Sequence, residues 1–263
     1  MKTLKRYQYE RYAVLCDLSY KPQFDHTLYG FSKDGQSVIE NRFGQSMIRV
    51  LSSASKSEAI VVIKGSHNVY DWLLNIAIWR TNCKDLNLPY SIHTGYHYLL
   101  RQQSKPKHRN CTTKDSEVIE RLFEVLGQLI KQGKRITFTG HSSGGAIGCV
   151  LADKLERMYP KSVKRVVTFG QPAIGGYQFK RHYLLSHKTY RICCDLDIVT
   201  FLPPFPLLYL HVGRMLWLYN GKIHENTPTA RRLSLSFISW IARPFSYHLM
   251  SKYIRNKDFF DER

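Results

Sequence analysis

The strongest constraint on how this chain folds is a serine held between two glycines, with an apolar run before it and a helix-forming run after it. Residues 136–146 read ITFTGHSSGGA, and IGCVLADKLERM follows. β-Branched and aromatic residues before Gly140 suit a buried strand; the run after Gly145 suits a helix. The turn Gly140-His141-Ser142-Ser143-Gly144 must leave the strand so sharply that the backbone at Ser142 is strained. The residues two before and two after Ser142 crowd one another, so both lack side chains. A helix starting there aims its N-terminal amides at the space beside the serine, where negative charge would develop. Ser142 is the candidate nucleophile.

The rest of the chain supports an α/β architecture. AIVVIKG (59–65), VKRVVTFG (163–170) and KTYRICC (188–194) are short apolar runs that read as buried strands. DSEVIERLFEVLGQLIKQ (115–132) is an amphipathic helix with Val118, Leu122, Val125, Leu126 and Leu129 on one stripe, and Gly133 follows its end. Alternating elements of this size imply a mostly parallel central sheet flanked by helices. The first 20 residues read as a helix packed on the body. A polar stretch to about Ser57 shows no regular element, residues 105–114 form a basic loop, and 205–247 is an irregular aromatic block. The 263 residues suit one domain, 1–263. Hydrophobic residues at 43% and charged residues at 22% exclude a disordered chain.

A serine nucleophile needs a base, and the base needs a carboxylate to orient it. With a strand–serine–helix turn these follow in the order Ser, Asp or Glu, His. In RICCDLDIVTFLPP, Asp197 lies beyond a strand's C-terminal end, where ligand sites of open α/β sheets form. Asp195 is the alternative. The later histidines are His211, inside the alternating YLHVGRMLWLY; His224, near a turn; and His248, after a long connection. The connection favours His248, with His211 second.

Several segments in this order resemble the class 3 lipases, a family of α/β-hydrolase fold. The resemblance spans roughly residues 59–253. ITFTGHSSGGA is similar to the family's serine signature, with Ser143 where Leu is usual. TFGQPAIGG (168–176), RICCDLDIVTFLPP (191–204), YLHVGRMLWL (209–218) and HLMSKY (248–253) resemble further segments. They imply Asp197 and His248 as triad partners and a non-catalytic His211. VVIKGSHNVYDWLLN (61–75) is similar to the F-R-G-[ST] segment, with Lys64 in place of Arg. It implies Ser66 as an oxyanion donor beside Ser143. IHTGYHYLL (92–100) makes His93 structural. The family implies a lid, here about 67–82, though so apolar a segment also reads as a core helix.

The resemblance therefore implies a serine ester hydrolase acting on lipid esters, with no metal and no organic cofactor. Acylglycerols are the first substrate class and anionic phospholipids, through phospholipase A1 chemistry, the second. An inactive membrane- or partner-binding homologue is a third reading, opposed by the complete Ser142, Asp197 and His248 set. The net charge of +19 would attract an anionic membrane surface. Basic and aromatic residues in RRLSLSFISWIARPFSY (231–247) suit the same surface, or else a packed helix. No nucleic-acid-binding pattern accompanies the charge, and oligomeric state is not legible. No apolar leader or membrane-spanning run is visible. That predicts a cytoplasmic or peripheral-membrane protein, with signal-independent export as the exception. The six cysteines, none in a CxxC pair, then read as free buried thiols.

Overall fold

The computed structural model describes residues 4–21, 24–31, 35–53, 55, 57–65, 79–104, 117–205, 208–242 and 246–260, without the side chains of Leu28 and residues 236–242. In chain order the elements are α1 (Arg6–Leu18), β1 (Gln36–Glu40), β2 (Ser46–Leu51), β3 (Glu58–Ile63), β4 (Arg80–Asn82), β5 (Ser91–His93), α2 (Thr94–Leu100) and α3 (Val118–Lys131). They continue with β6 (Arg135–His141), α4 (Ser143–Met158), β7 (Val163–Phe169), α5 (Tyr177–His182), β8 (Thr189–Cys194), β9 (Arg214–Tyr219), β10 (Lys222–Glu225), α6 (Thr229–Ala242) and α7 (Met250–Arg255). The main sheet has the order β1-β2-β3-β6-β7-β8-β9-β10. Its middle, β3 to β9, is parallel, and antiparallel pairs close both edges. This is the mostly parallel α/β sheet expected from the strand runs.

Each face of the sheet is covered, because strand side chains alternate. On one face, Ala59, Val61, Ile63, Ile136 and Phe138 pack under α3 and α4. On the other, Ile60, Val62, Val167, Phe169 and Ile192 pack under Tyr9, Tyr12 and Leu15 of α1 and Tyr253 of α7. Two polar β6 side chains on the α1 face are paired: Thr137 Oγ1 with Glu58, and Thr139 Oγ1 with Cys16 Sγ. Adjacent Cys193 and Cys194 fall in different clusters. Cys16, Cys83, Cys149, Cys193 and Cys194 are free and buried; Cys111 lies outside the described residues.

Three sequence expectations need correction. Residues 36–51, read as irregular, form the β1–β2 hairpin. The edge strand β1 buries only Ile39, while β2 buries Ile48, Val50 and Leu51, and Asn41 Oδ1 turns the chain by accepting from the N–H groups of Phe43 and Gln45. A half-exposed edge hairpin needs few apolar residues, so its signal is weak. His211 is not inside a strand, since β9 begins at Arg214 and β10 follows it. The 205–247 block is more regular than expected, holding β9, β10 and α6. Most of the lid segment, residues 66–78, lies outside the described residues.

The tightest packing around the serine turn is at Gly144. A Cβ there would strike the carbonyl of Ile63 and lie 2.9 Å from the Lys64 carbonyl carbon. Both obstacles are backbone of β3 and its exit, so they cannot swing aside. Gly144→Ala should therefore cost about 1–3 kcal/mol of stability, the usual range for overpacking. A lower urea midpoint at unchanged slope is the expected result.

Candidate active site

Ser142 stands at the C-terminal end of β6, between strand and α4, with φ 56° and ψ −132°. A positive φ at a residue with a Cβ is strained backbone, held here by its surroundings. The Ser142 N–H donates to the carbonyl of Phe169 at 2.9 Å, locking the turn to the end of β7. A Cβ on Gly140 would fall 2.6 Å from the Gly144 carbonyl, which is the crowding that the G-x-S-x-G spacing predicts. Ser143 opens α4, whose first amides have no helical carbonyl to bind.

The next residue along β7's exit, Gly170, carries His248. Its φ is +56°, and an added Cβ would meet Asp197 Oδ2 at 2.7 Å and His248 Nδ1 at 2.9 Å. Phe169 and Gly170 thus hold the serine turn on one side and the histidine ring on the other. His248 Nδ1 bonds both oxygens of Asp197, at 3.0 and 2.9 Å. His248 Nε2 is buried and has no hydrogen-bond partner among the described residues. Because a carboxylate only accepts, Nδ1 carries a proton, so the neutral ring has its lone pair on Nε2.

Asp197 is wholly buried just beyond β8. Besides His248, its oxygens accept from the Val199 N–H at 3.0 Å and the Tyr253 hydroxyl at 2.5 Å. Burial alone would raise its pKa. The charge and hydrogen bond of His248, aided by Tyr253, outweigh burial and hold the carboxyl below its usual range. Asp195, the alternative acid, is turned elsewhere: its carboxylate faces Cys194 Sγ, and its carbonyl accepts from Trp217 Nε1.

His141 gives the site a second support. Its Nε2 donates to the His248 carbonyl at 2.8 Å, so Nδ1 is the acceptor for the Tyr20 hydroxyl at 2.9 Å. Burial, and then neighbouring His248, push the His141 pKa down to about 3, which keeps this ring neutral. Tyr20 also accepts from the Gly65 N–H. A Cβ on Gly65 would collide with that hydroxyl and lie 2.5 Å from the His141 carbonyl. The exit of β3, the serine turn and the His248 backbone are therefore tied by Tyr20 and His141.

The other expected residues sort clearly. His211 is apart from the site, with Nε2 donating to the Thr200 carbonyl at 2.9 Å. His224 lies on β10 against Trp217. His93 caps α2, its Nδ1 accepting from the Gly95 N–H at 3.1 Å. Lys64, where Arg is usual, makes no ion pair with any described residue and lines a cavity of about 310 Å³ with Gly65 and Ser143. Ser66 lies outside the described residues. Arg232, in the segment that suits either a membrane surface or a packed helix, is only 3% exposed, whereas Leu233 and Leu235 are 39% and 44% exposed. Tyr20, His141 and Tyr253 carried no expectation of their own. Two of them lie inside quoted motifs, and Tyr20 belongs to the stretch read as a helix packed on the body, which gives no sign of its place at the site.

Comparison with known proteins matches the sequence and the fold to a family. The family model described as Lipase (class 3) covers residues 60–207. Secreted mono- and diacylglycerol lipase 1 of Fusarium solani is 26% identical over 194 residues, which are 72% of this chain and 52% of that protein. Secreted mono- and diacylglycerol lipase LIP1 of Malassezia globosa is 28% identical over 119 residues, 44% of this chain and 39% of that one. The chain thus spans about half or less of the length of these curated relatives. Lipase II from Rhizopus niveus superposes with a TM-score of 0.67 at 16% identity, over 98% of this chain and 96% of that one, which places both in one fold.

These relatives also overturn the expected cytoplasmic or peripheral-membrane location. The Fusarium solani and Malassezia globosa relatives, and a further one, secreted mono- and diacylglycerol lipase MDL3 of Malassezia globosa, are all named as secreted lipases, which points outside the cell. The expectation rested on the lack of an apolar leader in the first residues, and that does not by itself retain a protein in the cytoplasm. With the family model matching more than half of its length and the α/β-hydrolase sheet in place, the chain belongs to the class 3 lipase family.

Proposed function

We propose that this chain is a serine carboxylester hydrolase acting on acylglycerols, with Ser142 as nucleophile, His248 as general base and Asp197 as the group that orients it. The observation that carries the proposal is the His248 ring held on both oxygens of buried Asp197, 4.4 Å from the ring of His141 in the strained Ser142 turn, with Nε2 lacking a hydrogen-bond partner among the described residues. Ser142 Oγ attacks the ester carbonyl carbon as Nε2 takes its proton. The oxyanion is held by the N–H groups of Ser143 and Ser66. His248 passes the proton to the leaving alcohol, an acyl-enzyme remains, and water attacks it with Nε2 again as base. The names of the relatives, mono- and diacylglycerol lipases, favour acylglycerol over phospholipid. We read residues 1–263 as one catalytic domain, since its two ends meet where the Tyr9 hydroxyl donates to the Tyr253 carbonyl at 2.6 Å.

The +19 charge supports a second element of the proposal, an anionic membrane or lipid interface as the working surface. Binding to vesicles should rise with their anionic-lipid content and fall as salt shortens the Debye length from about 30 to 8 Å. Binding that ignores salt would contradict it.

Ser142→Ala should abolish release of p-nitrophenol from a short-chain ester, while diacylglycerol should be hydrolysed faster than phosphatidylglycerol by the wild type. Turnover retained in the variant would remove Ser142 from its role; the reverse substrate order would move the assignment to phospholipid.

Asp197→Asn should lower kcat at neutral pH by about 10⁴-fold, because the amide no longer enforces the Nδ1–H tautomer. The pH dependence of stability should also change. With its folded pKa held low, Asp197 contributes fully above an unfolded value of about 3.9, and that contribution disappears as pH falls through the folded value. Urea midpoints measured between neutral and acidic pH should fall less steeply in the variant.

A further inference from the structure

A cavity of about 930 Å³ lies between the 198–204 loop, the approach to β9 and the start of α6. None of Ser142, Asp197 and His248 is in its wall. Its size is that of a small-molecule site. Its chemistry is one-sided: Lys180, Arg191, Arg214 and Arg232 line it, with His187 and His211, and no acidic side chain is among the described lining residues. Arg214 is neutralised by Glu225 at the surface.

Arg191 is the unusual member. It projects from β8 and is only 6% exposed, yet it makes no ion pair with any described residue. Its Nη1 approaches Cys193 Sγ at 3.7 Å, and its Nε is buried with no hydrogen-bond partner among the described residues. A thiol sulfur is a weak acceptor, so it compensates little of the cost of burying a guanidinium. Burial lowers the Arg191 pKa, and the neighbouring charge of Arg232 adds to the lowering. Arg232 donates to Thr200 Oγ1 at 2.7 Å and lies over the Phe201 ring at 4.3 Å.

These groups ask for an anion. The 14-residue helix α6 adds to the field, since Pro228 and Thr229 at its N-terminal end also line the cavity. Beyond the charged wall the lining is apolar: Phe201, Leu202, Pro203, Leu210, Val212 and Leu233. Lys180, Ser186, His187 and Pro204 are exposed lining residues, so the cavity opens to solvent.

We propose that this cavity is a separate ligand site for a single-chain amphiphile, with its oxyanion head, a carboxylate or a phosphate monoester, on Arg191 and Arg232 and its alkyl chain along Phe201, Leu202 and Val212. The head forms charge-assisted hydrogen bonds with the guanidinium groups. The chain covers apolar wall that water otherwise wets.

Calorimetric titration of the full chain with decyl phosphate, decanoate, decanol and inorganic phosphate, all below micelle-forming concentrations, tests this directly. At least one of the two anionic amphiphiles should bind, and the tighter one identifies the head. Decanol and inorganic phosphate should each be weaker by about tenfold or more, the usual loss when a charged hydrogen-bonding group is removed. Arg191→Met, which keeps volume and removes charge, should weaken the anionic amphiphile by a similar factor, while Ser142→Ala should leave its affinity unchanged. Decanol binding as tightly as both anions, or a folded Arg191→Met variant with undiminished binding, would overturn the proposal. The comparison of heads uses wild-type protein alone, so it decides the matter even where Arg191→Met does not fold.

Discussion

Much of this molecule is organised around one buried negative charge. Asp197 has no exposed surface, and an ionised carboxylate in a protein interior costs several kcal/mol unless it is paired and hydrogen-bonded. Its partners arrive from three places: the N–H of Val199 in its own loop, Nδ1 of His248, and the Tyr253 hydroxyl on α7. Satisfying the charge therefore pins the C-terminal helix to the sheet. That helix in turn receives α1, through the Tyr9 hydroxyl on the Tyr253 carbonyl and the packing of Tyr9 against Phe169 and Phe260. The histidine is set in place by the same requirement that makes the acid tolerable.

The backbone of the site is held separately from its charges. Ser142 is strained at φ 56° and tied to Phe169, and His248 is tied through its carbonyl to His141 and on to Tyr20. Neutral His141 suits this place, because a cation there would oppose the developing imidazolium of His248. Tyr20, near the end of α1, bonds both His141 and Gly65, so the N-terminal helix supports the nucleophile turn and the neighbouring exit of β3 together.

What the sequence made legible follows from the physics. The serine turn was readable because steric crowding permits few residues at Gly140 and Gly144. The central strands were readable because parallel strands covered on both faces must be continuously apolar. Asp197 and His248 needed chain order and family resemblance, since isolated acids and histidines carry no local signature. The β1–β2 hairpin was missed because an edge strand needs few apolar residues. The burial of Arg232 is not legible because helical charge patterns do not distinguish a surface from a cationic cavity. Tyr20 is legible only as part of a packing helix, because its bond to His141 is created when α1 docks. The expected location fails because an unseen apolar leader does not by itself retain a protein in the cytoplasm.

The central claim is that Ser142 becomes covalently acylated with His248 as its base, and trapping the adduct tests it most directly. Incubation with diethyl p-nitrophenyl phosphate, followed by peptide mass spectrometry, should find one diethylphosphoryl group on the peptide containing Ser142. The adduct should form in wild-type protein and be nearly absent from His248→Ala. A modification on another serine, or equal labelling of Ser142 without His248, would contradict the account.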